Sequence, residues 1–344
     1  MKTTPRELLQ LFTFGLYELN IVGSLRLAGG SPIETYTPDD INELVRVSTF
    51  DSTDGTTLDR YHRPMILAPS QHETDIKTFL GKTIPIDTNG VDSKTMALDP
   101  VFAHPNVAPF VSKQLIQRLV TSNPSLAYVG RVAALFTNNG TGVRSDMKAV
   151  IRAVLRDSEA RCDAGTLAST TFGKVHDPVL RLTGWARAHG ATSPGKAWAI
   201  GDNSTATRLA QSPGRSGSVF GFFRLSYTPP NTAIAEAGLV ASELQLANET
   251  TVIGYVNSME MLISVGIGDI NGNYTDLLAK AATSQALVDD INLNLAAGQL
   301  SVATRAQIIT AVGNISALSS IDLLNRVHTA LLLTMASPDY LVQK

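Results

Sequence analysis

His72, Glu73 and Asp75 place one imidazole and two carboxylates within four residues. These are ligand types for a hard cation and the members of an acid–base pair, because both need proton-accepting groups around one point. The triplet alone does not complete a coordination shell. The other histidines, at positions 62, 104, 176, 189 and 328, show no paired helical spacing that would add a second imidazole. The metal is therefore unspecified and no cofactor is named. The same three side chains serve equally to fix a solvated loop. His104 is the fourth candidate catalytic group. It precedes Pro105 at the entrance to a helical run from Val107, where an imidazole either hydrogen-bonds the helix end or lines a site.

Trp185, Trp198, Phe220, Phe222, Phe223 and Tyr227 gather around a glycine- and serine-rich tract. Flat rings on loops stack on sugars and other extended ligands, which makes Trp185, Trp198, Phe222, Phe223 and Tyr227 the candidate ligand-binding set. Anchoring an irregular loop is the other use of such rings. Glu243 and Glu249 are separated by about 600° on a continuous helix, so they face each other as glycosidase carboxylates only if the chain breaks near Asn248. Surface or capping duty is the simpler reading. Ser145 and Lys148 have the Ser-x-x-Lys spacing of penicillin-recognising enzymes, yet the Lys-Thr-Gly element is missing and Ser145 reads as a helix N-cap. Residues 214–218 (GRSGS) fall one glycine short of a nucleophile elbow. Asp269, Asn271 and Asn273 alternate like a calcium loop, but Tyr274 replaces the turning glycine and Lys280 the closing glutamate. A plain turn is expected there, with Asn273 or Thr275 capping the helix that follows.

These groups sit in a chain of 344 residues and 36.7 kDa that is 44% apolar and 17% charged, which excludes an intrinsically disordered protein. Twenty-eight basic residues stand against thirty acidic ones without long runs of either sign, so a nucleic-acid partner is not expected. Cys162 is the only cysteine, which removes intrachain disulfides and thiolate-rich metal sites. No apolar stretch approaches the ~20 residues that span a bilayer, and the first residues lack a signal-peptide pattern.

The elements that must position the candidates read as mainly helical. Leu8, Leu9, Leu11, Phe12 and Leu16 share a broad face of a first helix closing near Gly15. Thr37-Pro38-Asp39-Asp40 has the form of an N-cap, a proline at the first helical position and a capping-box acid. Short β-compatible pieces near 65–67 and 83–86 suggest a small hairpin. Val107, Phe110, Val111, Leu115 and Leu119 recur at helical spacing, as do Val129, Val132, Ala133 and Phe136, and then Met147, Val150, Ile151, Val154 and Leu155. Periodicity returns over 178–189, is lost across 191–230, and resumes through 256–263, 277–295, 302–312 and 323–335. The expected fold class is mainly α: an irregular helical bundle with long loops and a small β-hairpin. It is read as a single helical domain over 1–344, with an N-terminal helical half about 1–160, a loop-rich middle about 161–230 and a C-terminal helical half about 231–344.

Seven blocks, taken together and in order, carry a family likeness. They are residues 6–15 (RELLQLFTFG), 36–40 (YTPDD), 72–81 (HETDIKTFLG), 104–110 (HPNVAPF), 177–185 (DPVLRLTGW), 248–250 (NET) and 336–340 (ASPDY). In these the chain resembles the bacterial family known as domain of unknown function 1800. The resemblance implies a largely helical protein that is often exported, hence a periplasmic or extracellular location. It also implies a partner, a secreted sulfatase-like protein of unknown function. Relatives are typically longer, so the chain looks like an N-terminally shortened member. At Ser48-Thr49-Phe50 relatives tend to have Thr-Gly-Trp, and the local turn is expected to differ. Since no complete catalytic constellation emerges, an envelope-associated structural or interaction protein is the expected function. The alternative is a hydrolase acting on a polysaccharide or other polymer, with His72, Glu73, Asp75 and His104 as its polar groups, cation-assisted if they gather.

Overall fold

The computed structural model describes residues 3–47, 50–51, 58–161 and 169–344; Ser48, Thr49 and Cys162, singled out above, lie outside them. Among the described residues the fold is mainly α, and the strands form short antiparallel pairs. The chain condenses into two compact units, residues 1–119 with 124–161, and residues 120–123 with 162–344. The loop-rich middle thus folds with the C-terminal helices.

In the first unit, helix α1 (Thr3–Glu7) runs on into a wider π-helical turn over Leu8–Thr13, because the Phe14 amide reaches back to the Leu9 carbonyl. Leu9 and Phe14 are fully enclosed while Phe12 and Leu16 stay exposed, so only part of the apolar face grouped there is covered. Helix α2 (Pro38–Val47) starts as the sequence predicts: Asp40 accepts from the Thr37 amide at 2.8 Å, and the Thr37 hydroxyl accepts from the Asp40 amide at 3.2 Å. The hairpin joins Lys77–Phe79 to Lys82–Ile84 through Leu80 and Gly81, both at positive φ as a two-residue turn requires. The piece at Ile66–Leu67 pairs with Phe50–Asp51 instead.

Helix α3 (Gly90–Ala103) follows, and α4 (Val107–Leu119), α5 (Leu126–Thr137) and α6 (Met147–Arg156) then pack on one another. The buried stripe of α4 runs through the small residues Ala108 and Ser112 to Ile116, while Leu119 is exposed. Small side chains let the neighbouring helices approach closely, which displaces the larger row that periodicity alone selects. Asp146, not Ser145, caps α6, since its carboxylate accepts from the amides of Lys148 and Ala149 and from Asn139.

The second unit is built on α7 (Pro178–Ala188), α8 (Glu249–Val265), α9 (Ser284–Asn294), α10 (Val302–Gly313) and α11 (Ser320–Ala336). Leu287, Val288, Ile291, Val312, Val327, Ala330, Leu331 and Met335 are fully enclosed in one apolar core that also takes in Trp185 and Met259. The helical run expected over 277–295 is broken, with a one-turn helix at Thr275–Leu278 ahead of α9. The break frees the Ala281 and Ala282 carbonyls, which accept from the buried Arg326 guanidinium at 3.1 and 2.9 Å; Ile315 accepts twice more from it. One α11 arginine therefore closes three orphan carbonyls at helix ends. The strand Lys174–Val175 pairs with Val342–Gln343 near the C-terminus.

Candidate functional site

In the first unit the chemistry-bearing triplet lies between α2 and the hairpin. Asp40 and Glu43 of α2 accept from the backbone amides of Leu80 and Thr78, at 2.8 and 3.1 Å, so two carboxylates cover the edge of the short hairpin. Arg46, one turn on, donates to both Glu43 oxygens at 2.9 and 2.7 Å and lies 3.0 Å from Glu73 Oε2. These bonds hold the guanidinium pKa above its ordinary value. Lys77 is buried and donates to the Asp75 carbonyl at 3.0 Å. Burial lowers its ammonium pKa and the Arg46 charge lowers it further, while Glu73, Asp75 and Glu43 offset part of this.

His72 takes a different direction. Its Nε2 donates to the Thr88 carbonyl at 3.0 Å, which fixes the tautomer, and the Ser93 hydroxyl lies 3.4 Å away. His72 and Glu73 therefore serve separate ties, His72 to the start of α3 and Glu73 to the end of α2. His104 stacks on Phe14 with ring centroids 4.3 Å apart, and its Nδ1 accepts from the Asn106 amide at 3.2 Å. Burial pushes its pKa down. Asn106, which residue type alone does not single out, is the busier group. Buried, it donates to the Phe14 and Tyr17 carbonyls at 2.7 and 2.8 Å and accepts from the Leu19 amide at 2.6 Å. The block at 104–106 is a clasp on residues 14–19. Among the described residues, no three His, Cys, Asp or Glu side chains gather as a metal ion would require.

In the second unit the chain does break before α8: Asn248 caps the helix in a capping box with Thr251. Glu243 and Glu249 do not become a facing pair, since Glu243 is buried and Glu249 is exposed. Surface duty for Glu243 is thus corrected. Its Oε1 lies 3.2 Å from Nζ of Lys174, equally buried, and Asp177 Oδ1 stands 3.9 Å from the same ammonium. Among the described residues neither Glu243 oxygen accepts a hydrogen bond of good geometry, so charge holds the pair together. Spacing sets Glu243 and Glu249 apart and names no partner for either; Lys174 carries no local signal beyond its position three residues before Asp177.

The five candidate rings do not share one platform. Trp185 is fully enclosed and donates from Nε1 to the Tyr274 hydroxyl at 3.0 Å, and Phe223 is buried as well. Phe222 and Tyr227 are half-buried, and Trp198 is exposed. The Tyr274 ring lies between the imidazoles of His189 and His328, with centroids 5.5 and 5.8 Å away. Burial lowers the pKa of both histidines, that of His189 to about 4. The Trp198 loop is pinned by Asp269, which accepts from the Ser193 hydroxyl and, at 3.1 Å, from the Ala199 amide. The acidic residue of the calcium-like pattern thus organises a loop junction. Gly268, at φ +59°, allows the contact, since a Cβ there would collide with the Ala199 carbonyl.

Beside this junction a cleft of about 310 Å³ opens. The loop 203–209 crosses α8 at Gly254, where a Cβ would run into the Ala206 carbonyl and the Thr207 backbone. Leu182, Leu209, Met259 and Leu262, all buried, supply the cleft's apolar lining. Asn203, Thr207 and Arg208 on the loop, with Asn257 and Ser258 of α8, supply its polar groups. No described helix is long and apolar enough to cross a membrane.

The profile of the family described as "Protein of unknown function (DUF1800)" matches residues 5–342. No curated protein and no solved structure matches the chain. Since the matched span takes in nearly every residue from the Leu9 turn to the C-terminal strand, the chain belongs to the DUF1800 family.

Proposed function

We propose that the protein is a structural or interaction component of the bacterial cell envelope, acting in the periplasm or outside the cell. The observation that carries this reading is an apolar surface on a fixed backbone. Phe12, Ile21, Leu25 and Leu27 are 62%, 49%, 48% and 58% exposed, and Leu16 and Tyr17 join them. The ribbon that follows the Phe12 turn and bears the other five is tied by the Glu18 amide to Ile33, by the Arg26 amide to Glu18 and by the Asn106 clasp. Large apolar side chains held in water close together along an ordered ribbon support a contact with another protein.

The partner to test is the one the family likeness implies, a secreted sulfatase-like protein. Mixed with that purified protein, the chain is expected to form a complex that Ile21→Glu with Leu27→Glu weakens by about ten-fold or more, while circular dichroism and the urea midpoint stay unchanged. Absence of a complex, or equal affinity of the folded variant, contradicts the proposal, as does a cytoplasmic location of the native gene product in cell fractions. A hydrolase of a polysaccharide or other polymer has one observation on its side, the exposed Trp198 next to a cleft.

A further inference from the structure

We propose that the cleft in the second unit binds a single-chain amphiphilic carboxylate, the class of a short fatty acid. The cleft is about 310 Å³, at the lower end of the ~300–1,000 Å³ typical of small-molecule sites. At roughly 30 Å³ per water-sized particle, such a space holds about ten non-hydrogen atoms. Most of its lining is apolar, and the Met259 and Met261 thioethers adapt to a flexible chain better than branched side chains do.

Arg208 sets the sign of the ligand. Among the described residues its guanidinium makes no ion pair and no hydrogen bond, and no acidic side chain lines the cleft. The acid that feels its charge, Asp202, is engaged by Arg215 at 3.3 Å and by the Ser204 hydroxyl and amide. A guanidinium beside an apolar slot fits a carboxylate head in its planar fork and an alkyl tail behind it. Asn257 and Ser258 of α8 add polar groups to the same lining. The Gly254 crossing and the Asp269 junction fix the loop segments against α8 and the turn that follows it.

The test titrates octanoate at neutral pH into the full chain carrying 13C-methyl methionine, and reads the Met259 and Met261 methyl signals. Saturable shifts are expected with octanoate and none with acetate, which lacks the tail. Octanol, which lacks the charge, should bind about ten-fold more weakly. Arg208→Gln, at an exposed position, should weaken octanoate by a similar factor and leave octanol unchanged. Ser258→Phe, which fills the cleft, should abolish both. Absence of saturable shifts with octanoate overturns the proposal, and so does octanoate affinity retained within about two-fold in Arg208→Gln.

Discussion

Replacing Lys174 by methionine is expected to lower the stability of the second unit by about 3–5 kcal/mol, because it strands the Glu243 carboxylate in the interior without its counter-ion. An isolated buried charge must bear its full desolvation cost or drag its segment to the surface. Removing both charges has a different outcome. In Lys174→Met with Glu243→Leu the carboxylate nearest the lost ammonium is gone as well, and well-packed apolar replacements of a buried pair are often neutral, so most of the loss should be recovered. Asp177, farther from the ammonium at 3.9 Å, keeps the Gln211 side-chain amide as a donor at 3.0 Å. Urea unfolding followed by tryptophan fluorescence checks this, because Trp185 and Trp198 are the only tryptophans in the chain and both belong to the second unit. A single variant that loses less than about 1 kcal/mol, or a double variant no better than the single one, would show that the pair does not hold the strand at Lys174–Val175 to the turn at Ser242–Leu246.

Acid should loosen the same unit as the pH falls from about 6.5 toward 4. His189 is buried, its Nε2 has no hydrogen-bond partner among the described residues, and burial lowers its pKa to about 4 from an ordinary 6.5. The unfolded chain therefore takes up a proton below about pH 6.5 that the folded chain refuses until about pH 4. The stability contributed by neutral His189 is complete above that window and falls through it by ~1.4 kcal/mol per pH unit, up to about 3 kcal/mol. His328 and His176, also lowered by burial, steepen the same slope. His189→Phe removes the titrating group along with an unpaired buried nitrogen. It should be as stable as the wild type near neutrality and show a visibly flatter decline when urea midpoints are measured between pH 7 and 4. An unchanged slope in that variant would place the acid sensitivity elsewhere.

Features of the fold that depend on local physics were legible in the sequence. The Thr37–Asp40 box and the Pro178 start of α7 are written in adjacent residues, and the helices Val302–Gly313 and Ser320–Ala336 follow from apolar period. What depended on distant partners was not. Arg326 reads as a polar position on a helix, yet its carbonyl partners lie in two other segments, Ile315 in one and, in the other, Ala281 and Ala282 at the break in the run that periodicity predicts over 277–295. Asp146 displaces Ser145 as a cap because a charged carboxylate accepting two amides and Asn139 is the stronger acceptor. His72, Glu73, Asp75 and His104 were visible as donors, but side-chain direction is set by tertiary neighbours. Thr88 draws the first, Arg46 the second and Phe14 the last. Lys174 as the partner of Glu243, and Asn106 as the centre of its block, could be found only in three dimensions.

The histidine and carboxylate groups of the first unit hold the fold: His72 ties to Thr88, Glu73 to Arg46, and His104 stacks on Phe14. The most direct measurement is hydrolysis of polymeric glycans and chromogenic esters by the purified chain, with and without divalent cations, in the wild type and in Glu73→Ala. No turnover that depends on Glu73 is expected, together with a modest loss of stability of about 1 kcal/mol from the partly exposed Arg46 pair. Turnover by the wild type that disappears in a fully folded Glu73→Ala would contradict it.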